Sequence, residues 1–384
     1  MSTLVRVLAV SHVHPDEAAV GAAWPPPNTV ELSFLDSFQV ARGAIQRLFF
    51  YEGDDLPPFQ SIVGALQSSL AAALPVFLPL SGKLAYLPES GDVVIDYSPD
   101  AVSPGVRFVE AEYSGSVDDM RRLAGDDEHQ IEAFLQLVPE LEVSMLPAPL
   151  LAVQVTRPRD DNVGGGGAGG AVAVGVAIHH GVADGQSKNA HVSVYGIVTD
   201  RFVTPLPMGV DMSQQRRRTF LLNAGEIESL KQRISESDAG REQLRNRLST
   251  YVAISSLAWT SIVRAKSLDA ADKVYFMVSA DCRRRLRPPA DKGYFGNCVT
   301  TCVAKAISGD LSAGSDDGLA GLARAAAAIQ RAIREGLEVP FGNSEPLARR
   351  RHGDDPAGEV SVVLRRALMD AFATNFRRQL VAST

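Results

Sequence analysis

The chain has little cysteine and no large excess of one charge. Its three cysteines, Cys282, Cys298 and Cys302, form no C-x-x-C pair and leave one thiol over. The sequence therefore predicts neither a disulfide framework nor a zinc knuckle, and it is typical of a reducing compartment. The net charge of -7 argues against a general surface for nucleic acid or anionic membranes.

Long hydrophobic runs are also missing. The apolar run at the N-terminus is too short for a secretory signal and has no small-residue cleavage site behind it. The most apolar later window, 62–80, is interrupted by polar residues, Pro75 and Pro79. We therefore expect a cytoplasmic protein that has neither a membrane nor a nucleic acid as partner. We also expect it to be a monomer.

Hydrophobic periodicity predicts a mixed α/β chain. Strands are expected at 4–10, 92–97, 150–155, 171–178, 274–280 and 298–307, and helices at 60–74, 250–265 and 319–337. The glycine-rich segment 157–170 joins two of the strands, which we expect to pair as neighbours. No Lys-Ser or Lys-Thr follows these glycines, so a phosphate-binding loop is not indicated.

The motif HHGVADG, residues 179–185, follows an apolar strand and carries the chemistry. An imidazole beside a carboxylate is what a general base needs, so His180 is the candidate base and Asp184 its companion. Gly185 permits a sharp turn after the carboxylate. His12 and Asp16 share this spacing but run into Pro15, which predicts a surface turn. A doubled histidine ending a buried strand, taken alone, also fits a structural core residue.

Four further segments decide between these alternatives. HHGVADG resembles the HHxxxDG signature of the CoA-dependent acyltransferases, which include chloramphenicol acetyltransferase and peptide-synthetase condensation domains. The segments at 33–53, 78–84, 281–286 and 293–299 narrow the resemblance to the plant BAHD acyltransferases; they read SFLDSFQVARGAIQRLFFYEG, LPLSGKL, DCRRRL and GYFGNCV. The YFGNC form is most similar to the clade that malonylates flavonoid and phenolic glucosides.

The resemblance implies the fold and the reaction. The fold class is α/β, with two chloramphenicol-acetyltransferase-like domains, each a mixed sheet with flanking helices, and an active-site channel between them. His180 would deprotonate an acceptor hydroxyl that attacks an acyl-CoA thioester, malonyl-CoA being the implied donor. No bound cofactor and no metal are expected. The partners are small molecules, an acyl donor and a hydroxylated acceptor.

The resemblance also assigns the remaining site residues. Asp184 would pair with Arg283 and organise the loop, and Tyr294, Gly296 and Asn297 would line the pocket. Candidate oxyanion donors are backbone N–H groups near Gly185 or the amide of Asn297. The malonyl carboxylate needs a cation, for which the candidates are Arg283, Arg285 and Lys292.

Two departures leave an alternative open. The segment after HHGVADG is shorter than in the family, and the DFGWG motif is absent. We predict an N-terminal domain at 1–202, a crossing linker at 203–215, and a C-terminal domain at 216–384 that is incomplete, with an atypical tail from about 343. The tail is predicted to be one amphipathic helix through Val360, Leu364, Leu368, Phe372 and Phe376. The alternative function is a truncated remnant that binds ligands or partners without turnover.

A condensation domain fits HHxxxDG equally well. It does not explain YFGNC, and it would have carrier-domain sequence around it, which this chain lacks.

Overall fold

A computed structural model describes residues 3–16, 28–159, 170–184, 199–203, 214–244, 247–291, 293–312, 318–338 and 358–381. The strands are β1 (Val5–Val13), β2 (Thr29–Glu31), β3 (Ile45–Gly53), β4 (Lys83–Leu87), β5 (Asp92–Asp96), β6 (Val106–Tyr113), β7 (Glu128–His129), β8 (Ala148–Pro149), β9 (Leu151–Pro158), β10 (Gly170–Ile178), β11 (Thr199–Val203), β12 (Gln215–Leu222), β13 (Lys273–Asp281), β14 (Val299–Ile307) and β15 (Gly358–Arg365).

The helices are α1 (Phe34–Ser37), α2 (Phe59–Ala73), α3 (Pro99–Val102), α4 (Val117–Gly125), α5 (Ile131–Gln136), α6 (Ala224–Glu236), α7 (Asp238–Gln243), α8 (Thr250–Lys266), α9 (Ser308–Ser312), α10 (Leu319–Glu338) and α11 (Arg366–Val381). Two short 3₁₀ turns lie at Leu78–Ser81 and His180–Val182.

The chain divides into two compact units. Unit 1 comprises 1–126, 130–210 and 292–297, and unit 2 comprises 127–129, 211–291 and 298–384. Unit 1 therefore includes the short segment 292–297 from the C-terminal part of the sequence, and unit 2 includes 127–129 from the N-terminal part. A chain divided at a single linker would not exchange such segments. The predicted linker at 203–215 lies largely outside the described residues, so the predicted boundaries stay a prediction.

Unit 1 is built on a six-stranded mixed sheet of order β1-β6-β9-β10-β3-β11. The predicted pairing of the strands on either side of the glycine-rich segment is confirmed, because β9 and β10 are antiparallel with Val176 opposite Val153. Gly175 lies in the middle of β10, where a Cβ would come 2.4 Å from the carbonyl oxygen of Leu137. Only glycine allows the chain after α5 to pack so closely on the sheet.

Alternate residues of β10 enter two different cores, as the period of a strand requires. Ala171 and Ala173 pack with α4 and α5, while Val172 and Val174 pack in the core that includes Val63 of α2. The sheet is therefore covered by helices on both faces, which explains why six of the nine residues of β10 are buried and the other three are half-buried. This architecture is the predicted mixed sheet with flanking helices.

A second, four-stranded sheet of unit 1 has the order β2-β5-β4-β8. Its core contains Leu84 and Ile95 and also includes Val182 and Ala183, the residues that follow the doubled histidine. Phe295 packs against this core, and its ring lies 5.7 Å from that of Phe77. The two segments that carry the motifs HHGVADG and YFGN are therefore held by one hydrophobic cluster.

Unit 2 contains a sheet of order β15-β12-β7 and the antiparallel pair β13-β14. The predicted strands at 274–280 and 298–307 are confirmed as this pair, with Val278 opposite Cys302. All three cysteines are buried. Burial raises the pKa of the Cys282 thiol to about 12, which suits a small core residue.

The tail was predicted as one helix, and this prediction is wrong for its first part. Val360 and Leu364 lie in β15, which pairs with β12 along eight residues from Gly358 to Arg365. The β-branched Val360, Val362 and Val363 favour a strand, and the vacant edge of β12 supplies its backbone hydrogen bonds. The helical part begins at Arg366 as α11.

Helix α11 is packed into unit 2 by aromatic and polar contacts. Phe372 and Phe376 are buried, and the Phe376 ring lies 4.8 Å from that of Phe220. The amide of Gln379 donates to the hydroxyl of Ser261 (2.9 Å) and accepts from that of Thr260 (3.0 Å), both on α8. These contacts make α11 part of the core of unit 2.

A smaller correction concerns His12. It lies within β1, not in a turn, and pairs with Arg107 of β6, although its side chain is exposed as predicted.

Candidate functional site

Strand β10 ends at Ile178 and delivers two histidines with different environments. His179 is completely buried, and its main-chain N–H donates to the carbonyl oxygen of Leu150 (2.9 Å). Its Nδ1 accepts the N–H of Gly181 at 3.0 Å, so this atom carries no proton. Burial, followed by repulsion from His180, lowers the pKa of His179 to about 4. His179 is therefore a neutral structural residue that caps the turn after it.

His180 is the first residue of the 3₁₀ turn and is only half-buried. Its Nδ1 is enclosed and has no hydrogen-bond partner among the described residues. The main chain around it is fixed by two hydrogen bonds. The N–H of Val182 donates to the carbonyl oxygen of His179 (3.1 Å), and Nδ2 of Asn297 donates to the carbonyl oxygen of His180 (2.7 Å). A partly accessible imidazole on a fixed backbone has the properties of a candidate base.

Asn297 brings a distant part of the chain to this turn. Its Nδ2 also donates to Oδ1 of Asp36 (2.8 Å), and its main-chain N–H donates to the same oxygen (3.0 Å). Asp36 is buried in α1, and its Oδ2 accepts the main-chain N–H of Ser33 at 3.0 Å. The Ser33 hydroxyl also donates to this Oδ2. A buried carboxylate thus accepts four hydrogen bonds.

This geometry corrects one sequence-based hypothesis. The amide of Asn297 was a candidate oxyanion donor, but its two N–H bonds already go to Asp36 and to the His180 carbonyl. Because both partners are acceptors, the NH₂ group must face them, and Oδ1, which cannot donate, is left without a partner among the described residues. Asn297 is therefore not available to stabilise an oxyanion. Gly185, near the other candidate donors, lies outside the described residues.

Gly296 and Tyr294 form a compact turn before Asn297. Gly296 has φ of +147°, a region that favours glycine, and a Cβ at this position would come 2.8 Å from the Tyr294 hydroxyl. Tyr294 is half-buried and folds back over Gly296. The motif YFGN therefore presents the Asn297 side chain in a fixed direction.

The other predicted site residues are placed less completely. Asp184 is buried two residues after the 3₁₀ turn. Arg283 belongs to unit 2, where its guanidinium lies 3.1 Å from the Asp281 carboxylate. Because Asp184 belongs to unit 1, the predicted pairing of Asp184 with Arg283 stays a prediction. Lys292 lies outside the described residues, and Arg285 is half-buried in the loop after β13.

Asp36 is the residue that sequence reasoning missed. Its signal was the spacing Ser-x-x-Asp at Ser33 and Asp36, which predicts a capping box at a helix start, and the structure contains this box. The contact with Asn297 could not be read from the same pattern, because 261 positions separate the two residues.

Two further findings concern metals and membranes. In the part of the chain that the structure describes, no three His, Cys, Asp or Glu side chains are grouped as metal ligands would be. None of the described helices has the length and apolar character to cross a membrane.

A sequence model described as the Transferase family matches residues 17–207 and 207–315, more than half of the chain. Phenolic glucoside malonyltransferase 1 from Arabidopsis thaliana is 27% identical over 399 aligned residues, covering 88% of this chain and 81% of that protein. A protein of the same name from Bemisia tabaci is 28% identical, covering 87% and 78%.

Among solved structures, the crystal structure of F. sporotrichioides TRI101 complexed with coenzyme A and T-2 superposes with a TM-score of 0.62 at 15% identity. The superposition covers 90% of this chain and 97% of that chain. At this identity the likeness shows the fold.

Proposed function

This chain belongs to the BAHD acyltransferases of the Transferase family, which use acyl-CoA, and we propose that it transfers a malonyl group from malonyl-CoA to a hydroxyl of a phenolic or flavonoid glucoside. His180 is the proposed general base. The observation that carries this proposal is the half-exposed imidazole of His180 on a backbone that hydrogen bonds with Asn297 and Leu150 hold in place.

The proposed reaction needs no covalent acyl-enzyme. His180 takes the proton of the acceptor hydroxyl as its oxygen attacks the thioester carbonyl, and a tetrahedral oxyanion forms. When the carbon–sulfur bond breaks, the CoA thiolate takes the proton from the imidazolium, which leaves an ester and free CoA. A base of this kind accelerates hydroxyl attack by about a hundredfold to ten-thousandfold.

The two histidines of the motif support the choice of His180. His179 is fully buried and uses Nδ1 for the N–H of Gly181, so it cannot reach a substrate. His180 has no such structural bond at Nδ1 within the described residues. In this proposal Asp184 organises the loop after the base, with Arg283 as its proposed partner, and it takes no part in proton transfer.

The names of the relatives support a dicarboxylic donor. A malonyl carboxylate needs a cation that an acetyl group does not, and Arg283, Arg285 and Lys292 remain the proposed candidates. Arg283 already pairs with Asp281, which leaves Arg285 as the candidate of this loop that forms no ion pair within the described residues.

Two exposed aromatic side chains at α1 are the proposed contact for an aromatic acceptor. Phe34 and Phe38 flank Asp36 and expose 68% and 60% of their surface, with ring centroids 4.7 Å apart in an edge-to-face arrangement. An aromatic ring that packs offset or edge-to-face on another gains about 0.5–1.5 kcal/mol beyond the area it buries. We expect Phe38→Ala to raise the KM for a phenolic glucoside about tenfold and to change the KM for an alkyl glucoside much less.

The test is a panel of donors and acceptors with the purified chain. Malonyl-CoA and acetyl-CoA are each given with a phenolic glucoside, its aglycone and an alkyl glucoside, while free CoA and the mass of the product are followed. We expect malonyl-CoA with the phenolic glucoside to give the highest kcat/KM. Transfer from acetyl-CoA at an equal rate would contradict the proposed donor, and equal use of the aglycone would contradict the proposed acceptor.

The same panel tests the alternative of a remnant without turnover. Folded protein that binds malonyl-CoA by calorimetry but releases no CoA with any acceptor would favour that alternative. Cytoplasmic location and a monomeric state also belong to the proposal, and gel filtration of the active protein tests the latter.

A further inference from the structure

We propose that Asp36, acting through Asn297, is a positioning residue that fixes the main chain at His180. The inference rests on the proposed function, since it concerns the base of that reaction. It starts from one carboxylate oxygen: Oδ1 of Asp36 accepts both the main-chain N–H and the Nδ2 of Asn297, and the same Nδ2 donates to the carbonyl oxygen of His180. Three segments far apart in sequence therefore meet through one amide.

A cap for α1 does not account for this arrangement. Unit 1 contains a second Ser-x-x-Asp capping box, at Ser116 and Asp119 of α4, with the same bonds from serine N–H (2.9 Å) and hydroxyl (2.8 Å) to Oδ2. There the other carboxylate oxygen, Oδ1, pairs with Arg122, and 41% of the side chain is exposed. The Asp36 side chain, by contrast, is buried, and its Oδ1 accepts the two hydrogen bonds from Asn297.

Burial of a carboxylate is costly unless its lone pairs are satisfied. Asp36 is buried although the helix that it caps, α1, has only four residues. The capping bonds use Oδ2 alone, and the bonds of Oδ1 serve the turn at His180 and the YFGN segment. The polar cluster therefore orders the turn that carries the base, and the capping of α1 is the smaller part of its effect.

The effect on catalysis follows because proton transfer requires a precise position of the base relative to the substrate hydroxyl. A base that is displaced by about 1 Å loses on the order of a hundredfold in rate. Neither Asp36 nor Asn297 needs to touch the substrate for this effect. Their loss should therefore lower kcat and leave the KM of both substrates nearly unchanged.

The test compares Asn297→Ala and Asp36→Ala with the matched control Asp119→Ala. We expect the first two to lower kcat by about tenfold to a hundredfold with KM changed less than about threefold, and the control to keep the kcat of the natural chain. The double variant should be no slower than the slower single variant, because the two residues act as a unit. If Asn297→Ala does not fold, Asn297→Ser replaces it. The serine hydroxyl can donate only one of the two bonds, so kcat should fall less far.

A second readout does not depend on activity. Hydrogen exchange is measured by mass spectrometry on a peptide covering 176–184, in which the N–H groups of Gly181 and Val182 bond to His179. These two amides should exchange faster in Asn297→Ala and Asp36→Ala and remain unchanged in Asp119→Ala.

The outcomes separate this inference from the proposed function. A chain that does not turn over malonyl-CoA refutes the proposed function, while the exchange experiment still decides on the positioning residue. An active chain in which Asn297→Ala keeps its kcat and the exchange rates of the turn would overturn the inference and leave the function intact.

Discussion

Acid should destabilise this protein through His179. The pKa of this histidine is about 4 in the folded chain, against 6.5 for an unburied histidine, because burial disfavours the charged ring. The unfolded chain therefore binds more protons than the folded chain between pH 6.5 and 4. The stability due to the neutral ring is complete above pH 6.5 and is lost as the pH falls towards 4.

The size of the effect follows from the two pKa values. Between pH 8 and pH 4.5 the proton linkage of His179 amounts to about 2.5 kcal/mol. This is a large share of the roughly 5–15 kcal/mol by which a folded domain is stable.

The assay is urea unfolding of the natural chain and of His179→Asn at pH 8, 6.5, 5.5 and 4.5. Asparagine keeps an acceptor for the N–H of Gly181 and does not titrate, so carboxylates affect both proteins alike. Whatever the difference in unfolding free energy between the two proteins at pH 8, it should move by about 2.5 kcal/mol in favour of the variant by pH 4.5. A difference that is the same at all four pH values would refute the assignment of His179 as a buried neutral residue.

Two more predictions concern unit 2. The three cysteines are buried, and burial raises the pKa of Cys282 and Cys302, so a disulfide reagent should titrate no thiol rapidly in the folded chain and all three in urea; fast reaction before unfolding would contradict their placement in the core. Phe376→Ala should lower the unfolding free energy by about 3–5 kcal/mol, because the ring is fully buried against Phe220 and Phe372. The exposed neighbour Arg377 is the control, and Arg377→Ala should stay within about 0.5 kcal/mol of the natural chain. A loss below about 1 kcal/mol for Phe376→Ala would show that α11 is not part of the core.

The sequence predicted those parts of the fold that depend on local pattern. The apolar run before His179 predicts β10, and the flexible segment before it predicts the pairing with β9, because neighbouring strands joined by a loop tend to pair. The error at Val360 and Leu364 has the opposite origin. Their spacing of four satisfies a helix, but the open edge of β12, some 145 residues earlier, offers hydrogen bonds that no local pattern reveals.

The candidate site shows the same limit. The doubled histidine indicates a base, but the local sequence does not predict that His179 is fully buried while His180 is half-exposed. The role of Asn297 as a pocket residue stays a prediction. The use of its amide depends on Asp36, and that contact exists only in the folded chain. A capping box can be predicted from the sequence. A hydrogen bond between its carboxylate and a residue far along the chain cannot.

The proposed reaction requires His180 to be the base of an acyl transfer. The chain offers a matched control, since His12 stands in the same His-x-x-x-Asp spacing and is exposed on β1. The decisive measurement is kcat for CoA release from malonyl-CoA with a phenolic glucoside in His180→Ala and His12→Ala, with the melting temperature of each. If His180 is the base, kcat should fall by about a hundredfold to ten-thousandfold in His180→Ala and stay at the natural rate in His12→Ala. Equal rates for the two folded variants would contradict it.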